Sequence, residues 1–179
     1  MSSDCGSGRI DQRAPNAIMF SMDTGRKAVQ KRLERFRERC AAAHLAQTPQ
    51  RQAIYELLAA DSSHPTAEDV FSRLRPKLPS LSLGTVYRTI DMLVKLGLLQ
   101  RVTAGSGESR FDADVELHGH LVCMHCSAVF DFHAKATSAP SAAAKRTGFR
   151  IVGQQWHAHG ICRECRKSSP GLVNIENDS

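Results

Sequence analysis

A chain of 179 residues and 19.7 kDa has room for one compact domain or two small ones, and it is too short for a large enzyme barrel. With 41% hydrophobic and 23% charged residues and a mean hydropathy of -0.32, it is neither disordered throughout nor membrane-spanning. The deviations are a net charge of +6, six cysteines and eight histidines. Residues 1–110 hold 17 Lys and Arg against 11 Asp and Glu, whereas residues 111–179 hold seven of each, so the excess lies entirely in the first part. A basic half beside a neutral half suits a polyanion-binding module joined to something else, or simply a solvated basic helix.

No stretch approaches the ~18 apolar residues that a bilayer span needs, and the first 25 residues carry no uninterrupted apolar run of signal-peptide length. The expectations are no membrane and a cytoplasmic location, where paired cysteines more often hold metal than form disulfides. Residues 1–25 and 169–179 read as disordered tails, with Met19 and Met22 as alternative starts.

From Lys27 to Leu45 an apolar stripe through Val29, Leu33, Phe36 and Cys40 predicts a basic amphipathic helix. Thr48-Pro49 opens a second helix running to about Ala60, with Ile54, Leu57 and Leu58 inward. Thr66-Ala67-Glu68-Asp69 has the form of a capping box with Asp in place of Glu, and Pro76 and Pro79 end the helix that it starts. A fourth helix starts at Ser82, turns Val86, Ile90, Leu93, Val94 and Leu96 inward, and stops at Gly97. That leaves Thr85, Tyr87, Arg88 and Thr89 free to face outward. Two β-prone runs, Leu98 to Val102 and Glu108 to Asp112, are joined by the turn-rich residues 103–107.

Helices closed by a hairpin describe a winged helix-turn-helix over residues 26–110, in which the last helix enters the DNA major groove with its first residues at the base edges. Tyr87 and Arg88 are the candidates for groove contacts, being long and near the start of that helix. The competing reading packs Tyr87 in the core and leaves Arg88 solvated.

Cys123-Met124-His125-Cys126 and Cys162-Arg163-Glu164-Cys165 supply two CxxC pairs, the four thiolates that tetrahedral zinc selects. The 35 residues between them exceed ribbon spacing, so the site should staple a small sheet, and four thiolates leave no open position for catalysis. His118-Gly119-His120 lies just upstream. In an extended strand residues 118, 120 and 122 share one face and Cys123 points to the other, so the histidines and the first cysteine serve different sites. Asp112 at the end of the wing and Asp131 in the β-prone AVFDF stretch add carboxylates to the histidine pair.

The stretches TPQRQAIYELL, HPTAEDVFSRL, SLGTVYRTIDMLVKLGLL, SRFD, HGHLVCMHCSAVFDF, GF and GICREC, spread over Arg26 to Lys167, resemble the ferric uptake regulator family. That resemblance implies an α+β chain: an N-terminal winged helix, then a small α/β dimerisation domain over residues 111–168 with a structural zinc site at Cys123, Cys126, Cys162 and Cys165. It also implies a regulatory Fe2+ or Mn2+ site on His64, Asp112, His118, His120 and Asp131. Aspartates at the two acidic positions and Gly119 between the paired histidines resemble the peroxide-responsive branch. Iron repressors commonly carry Glu at the acidic positions and often Asp between the histidines.

The function so implied is a metal-dependent repressor, not an enzyme, that binds palindromic double-stranded operator DNA as a homodimer through Thr85, Tyr87 and Arg88. It senses hydrogen peroxide by metal-catalysed oxidation of His64 or His118. The alternative within the family is an iron-responsive repressor with Fe2+ as corepressor. A zinc hydrolase or deaminase is disfavoured by the lack of HExxH and of the deaminase motif pair, and thiol sensing by the zinc cysteines is a third reading. Cys5, Cys40, His125, His133, His157 and His159 have no role in this scheme.

Overall fold

The computed structural model describes residues 22–103, 107, 109–133, 139–151 and 155–168. The expected tails lie outside them except for residues 22–25, which are helical; so do Cys5, Glu108 and the wing-turn residues 104–106. Four helices come first: α1 (Met22–Ala42), α2 (Pro49–Ala60), α3 (Ala67–Leu74) and α4 (Leu83–Lys95). Strands β1 (Gln100–Thr103) and β2 (Ser109–Asp112) form an antiparallel wing. A second sheet has the order β4-β3-β5, from β3 (Gly119–Cys123), β4 (Val129–Phe132) and β5 (Trp156–Gly160). Helix α5 (Ala139–Thr147) lies in the chain between β4 and β5, and α6 (Arg163–Ser168) closes the described chain. The chain is thus the α+β winged helix with a small following sheet that the motifs imply.

Local chemistry accounts for the helix ends. Thr48 accepts a hydrogen bond from Arg51 N with Pro49 opening α2, Ser82 accepts from Thr85 N, and Thr66 and Asp69 complete a reciprocal capping box. Helix α4 ends with Gly97 at φ 65°, where Gly97 N reaches Val94 O and Leu98 N reaches Leu93 O. The first helix ends at Ala42, short of the expected Leu45, because His44, at φ 52°, makes the same closure: His44 N bonds Ala41 O and Leu45 N bonds Cys40 O. A left-handed histidine is an uncommon stop that composition does not announce.

The main core lies in the helical half, where Phe36, Cys40, Ile54, Tyr55, Leu58, Val70, Val86, Ile90 and Leu93 pack with Leu98 and Phe111. Thr89 belongs with them: it is buried rather than outward-facing, since it sits three residues from Val86 and beside Ile90. A second, much smaller cluster joins the two sheets through Val102 of β1, Val122 of β3 and Val129 of β4.

Gly119 pairs with Phe132 across β3 and β4, and a Cβ there would stand 2.3 Å from the Phe132 ring. A side chain between the two histidines would therefore have to displace the Phe132 ring. Gly119→Ala is expected to destabilise the protein by about 1–3 kcal/mol, read from chemical denaturation, and Phe132→Leu in the same chain should recover part of the loss.

Candidate metal centres and the exposed helix

The four cysteines converge as their spacing implies. Cys123 ends β3, Cys126 follows in a turn closed by Ser127 N on Cys123 O, and Met124 N bonds Gly160 O, which brings the end of β5 and then Cys162 alongside. All four sulfurs lie within 4.8 Å of one another, and Cys126 Sγ is 3.7 Å from Cys162 Sγ. A tetrahedral ion with bonds of about 2.3 Å holds its sulfurs about 3.8 Å apart, whereas a disulfide needs about 2.05 Å. The spacing fits zinc-type coordination, and these cysteines are free thiols. Burial raises the Cys126 and Cys165 thiols. At Cys123 burial acts the same way but is outweighed by backbone N–H groups of Cys162, Cys126 and His125, which bring the thiol down to about 6. Cys40 is buried in the helical core, where burial raises its thiol, so it is a packing residue and not a ligand.

The second cluster draws on both halves of the chain. His64 comes from the loop between α2 and α3 at φ 54°, and that loop is tied to β2 by Phe111 N on Pro65 O and by Arg110 Nη1 on His64 O. Asp112 ends β2. His120 of β3 stands directly opposite Asp131 of β4, so both side chains leave the same face, and His118 precedes the strand by one residue. His118 Nε2 lies 3.0 Å from His120 Nε2 and 3.0 Å from Asp112 Oδ2, while His64 Nε2 lies 2.8 Å from Asp131 Oδ1. An octahedral ion with bonds of about 2.1 Å sets neighbouring donors about 3.0 Å apart, so the five donor atoms, all within 4.8 Å of one another, are spaced to share one cation. His64, Asp112, His118 and His120 are buried and Asp131 is partly exposed. The His64–Asp131 approach is off the hydrogen-bond direction, so both ring nitrogens of His64 are buried without a partner, an arrangement that a cation would relieve.

The charges at this site are tightly paired. Burial works to raise the Asp112 carboxyl, but hydrogen bonds from His118 and His120, then Asp114 N and Gln100, hold it well below the usual carboxylate range. At Asp131 the imidazoles of His118 and His64 outweigh burial in the same direction. His118 is pushed up to about 10, first by its bond to Asp112 and then by Asp131. Its Nδ1 lies 2.9 Å from Glu116 O, which directs Nε2 at the cluster.

Gln100 and Arg110 are supporting residues that the sequence reading missed. Gln100 faces Asp112 across the wing and donates Nε2–H to Asp112 Oδ2 at 3.0 Å and to Asp114 O at 2.6 Å. Hairpin register, once assigned, would have exposed Gln100, whereas the Arg110 contact with the His64 loop depends on tertiary packing.

At the start of α4, Tyr87 is 43% exposed and Arg88 is exposed, while Thr85 is half-buried. Arg88 Nη2 donates to Thr85 Oγ1 at 3.3 Å, and the Tyr87 hydroxyl donates to Glu68 Oε1 at 2.5 Å, so all three residues sit on one accessible helix end beside α3. Among the described residues no helix is long and apolar enough to cross a membrane.

Residues 42–155 match the model of the ferric uptake regulator family. The chain is 37% identical over 121 residues to the peroxide operon regulator of Bacillus subtilis, covering 67% of this chain and 83% of that protein. It is 34% identical over 121 residues to a peroxide-responsive repressor, PerR, of Staphylococcus epidermidis, covering 67% and 81%. Its fold is similar to the Helicobacter pylori ferric uptake regulator at a TM-score of 0.65 and 22% identity, over 77% of this chain and 93% of that one. The protein belongs to the ferric uptake regulator family.

With the second cluster free of metal, folding raises His118 above its ordinary value of 6.5, so its charged pairing with Asp112 is fully stabilising below about pH 6.5 and is lost as pH climbs toward 10. Protein stripped of metal at this cluster alone should therefore show a urea midpoint that falls between pH 7 and pH 9, and His118→Gln should flatten that slope.

Proposed function

We propose that the protein is a metal-dependent transcriptional repressor that binds palindromic operator DNA as a homodimer and senses hydrogen peroxide through oxidation of a metal-ligating histidine. The observation that carries this reading is the five-donor cluster built from two parts of the fold: His64 and Asp112 on the winged helix, and His118, His120 and Asp131 on and just before the second sheet. Three imidazoles and two carboxylates are a harder donor set than four thiolates and suit Fe2+ or Mn2+, one ligand short of an octahedral shell, while Cys123, Cys126, Cys162 and Cys165 suit structural Zn2+. The match to peroxide-responsive relatives supports peroxide as the signal.

Bound ferrous iron would supply the electrons that reduce peroxide beside the imidazole rings. The chain's own contribution is mechanical and electrostatic. Gln100 and the Asp114 backbone hold Asp112 toward the histidines, Glu116 O turns His118, and Arg110 anchors the loop that carries His64. Filling the cluster fixes the angle between winged helix and sheet, and losing His64 or His118 as a ligand releases it. In a two-fold dimer that angle sets the separation of the paired α4 helices, and with it whether both half-sites of an operator are reached.

Support for the homodimer comes from the sheet face opposite His120 and Asp131. There Leu121 (45% exposed), Phe130 (39%) and Ala158 line up across β3, β4 and β5 as an uncovered apolar row that a second copy would bury. Support for DNA reading comes from the accessible start of α4 with Thr85, Tyr87 and Arg88.

Mass spectrometry of the iron-loaded protein after low peroxide tests the sensing step. One added oxygen on peptides carrying His64 or His118, together with loss of operator binding, is expected, whereas intact histidines and retained binding would make the protein an iron-responsive repressor. Arg88→Ala should weaken operator binding about tenfold or more, as loss of a good base contact does, with thermal stability unchanged.

A further inference from the structure

A ligand histidine that meets a metal through one ring nitrogen almost always gives the N–H of the other to an outer partner, which fixes tautomer and ring orientation. His118 follows this rule through Glu116 O. His120 does not: its Nδ1 is buried and has no hydrogen-bond partner among the described residues. The neighbour that could serve it is His157. Strand β5 runs parallel to β3 with His157 directly paired with His120, so the two side chains leave the same face of the sheet. Their ring centroids are 5.5 Å apart with planes at 74°. A head-on N–H···N bond between two imidazoles needs about 3 Å between nitrogens and about 1.1 Å more from each nitrogen to its ring centre, close to that separation. His157 Nε2 is itself buried and unpartnered, so two orphaned nitrogens belong to adjacent rings; with a metal on His120 Nε2, its Nδ1 carries the hydrogen and His157 Nε2 is free to accept it. Each costs free energy while unpaired, and a bond between them satisfies both.

We infer that His157 is the outer partner of His120, accepting the His120 Nδ1–H through its own Nε2 and so holding His120 Nε2 toward the cluster. His157 is then a positioning residue that acts through His120 and touches no metal itself, consistent with its lying outside the group of five convergent donors. This rests on the reading of that group as a metal site.

The test uses full-length, zinc-saturated protein titrated with Co2+, whose visible ligand-field bands report coordination at the second cluster. His157→Phe, which keeps the ring volume and removes the acceptor, should weaken Co2+ binding about 10-fold or more, with band positions shifted but intensity showing an unchanged number of ligands. His157→Gln, whose side-chain oxygen can accept the same N–H, should recover most of the affinity. His159→Ala, two residues along β5 with an exposed side chain, should behave as wild type. Zinc content and thermal midpoint report folding in each variant. Affinity of His157→Phe within twofold of wild type would overturn the inference, as would a spectrum showing one ligand fewer, which would make His157 a ligand itself. His120→Ala run in parallel separates the two levels: if it too leaves Co2+ binding unchanged, the metal-site reading fails, and not only the role of His157.

Discussion

The relation between the two halves of the fold turns on one convergence, that of His64 from the helical half with Asp112, His118, His120 and Asp131. Among the described residues the apolar contact between the two sheets is a cluster of three valines, Val102, Val122 and Val129, whereas the helical core draws on more than a dozen buried side chains. Burying a valine contributes about 1.5–3 kcal/mol, so the junction is held lightly by packing. The buried, charged and imidazole-rich cluster beside it is left to define the geometry. Three imidazoles and two carboxylates brought this close are costly without a shared cation, since orphaned ring nitrogens and closely spaced carboxylates must be offset by proton sharing alone. That balance makes the junction sensitive to what occupies it.

The two clusters divide the work by chemistry. The thiolate group is assembled from a knuckle after β3 and the start of α6, within one small sheet that has little apolar core of its own, so coordination there replaces packing. The imidazole and carboxylate group crosses between the helical half and that sheet. On the proposed function, a ligand lost from the first would unmake a sheet, and one lost from the second would release the angle between the two parts. Gln100, Arg110 and Glu116 brace the second group, because each holds one of its residues or the His64 loop by a direct hydrogen bond.

Much of this was legible in the residues. The CxxC pairs announced their cluster by type and spacing, and Thr48, Thr66, Ser82 and Gly97 marked helix ends through local hydrogen bonding that short stretches encode. The alternation of His118 and His120 with Cys123 separated the two sites before any coordinates. What stayed hidden depends on contacts distant in sequence. His64 is a lone histidine before a proline, and only the resemblance tied it to the other four members of the cluster, 48 to 67 residues away. The burial of Thr89, the Gly119 fit under Phe132 and the pairing of His157 with His120 depend on neighbours brought in by tertiary structure or strand register; the exception is the stop at His44, which is local but falls on a residue that seldom adopts a left-handed conformation.

If His64 couples the two halves, the most direct measurement is operator affinity of His64→Ala as Mn2+ is added, by fluorescence anisotropy on protein that keeps its full zinc content. Binding that stays weak and indifferent to Mn2+, while wild type tightens, is the predicted result. A variant whose operator affinity still rises with Mn2+ as it does in wild type would contradict the account.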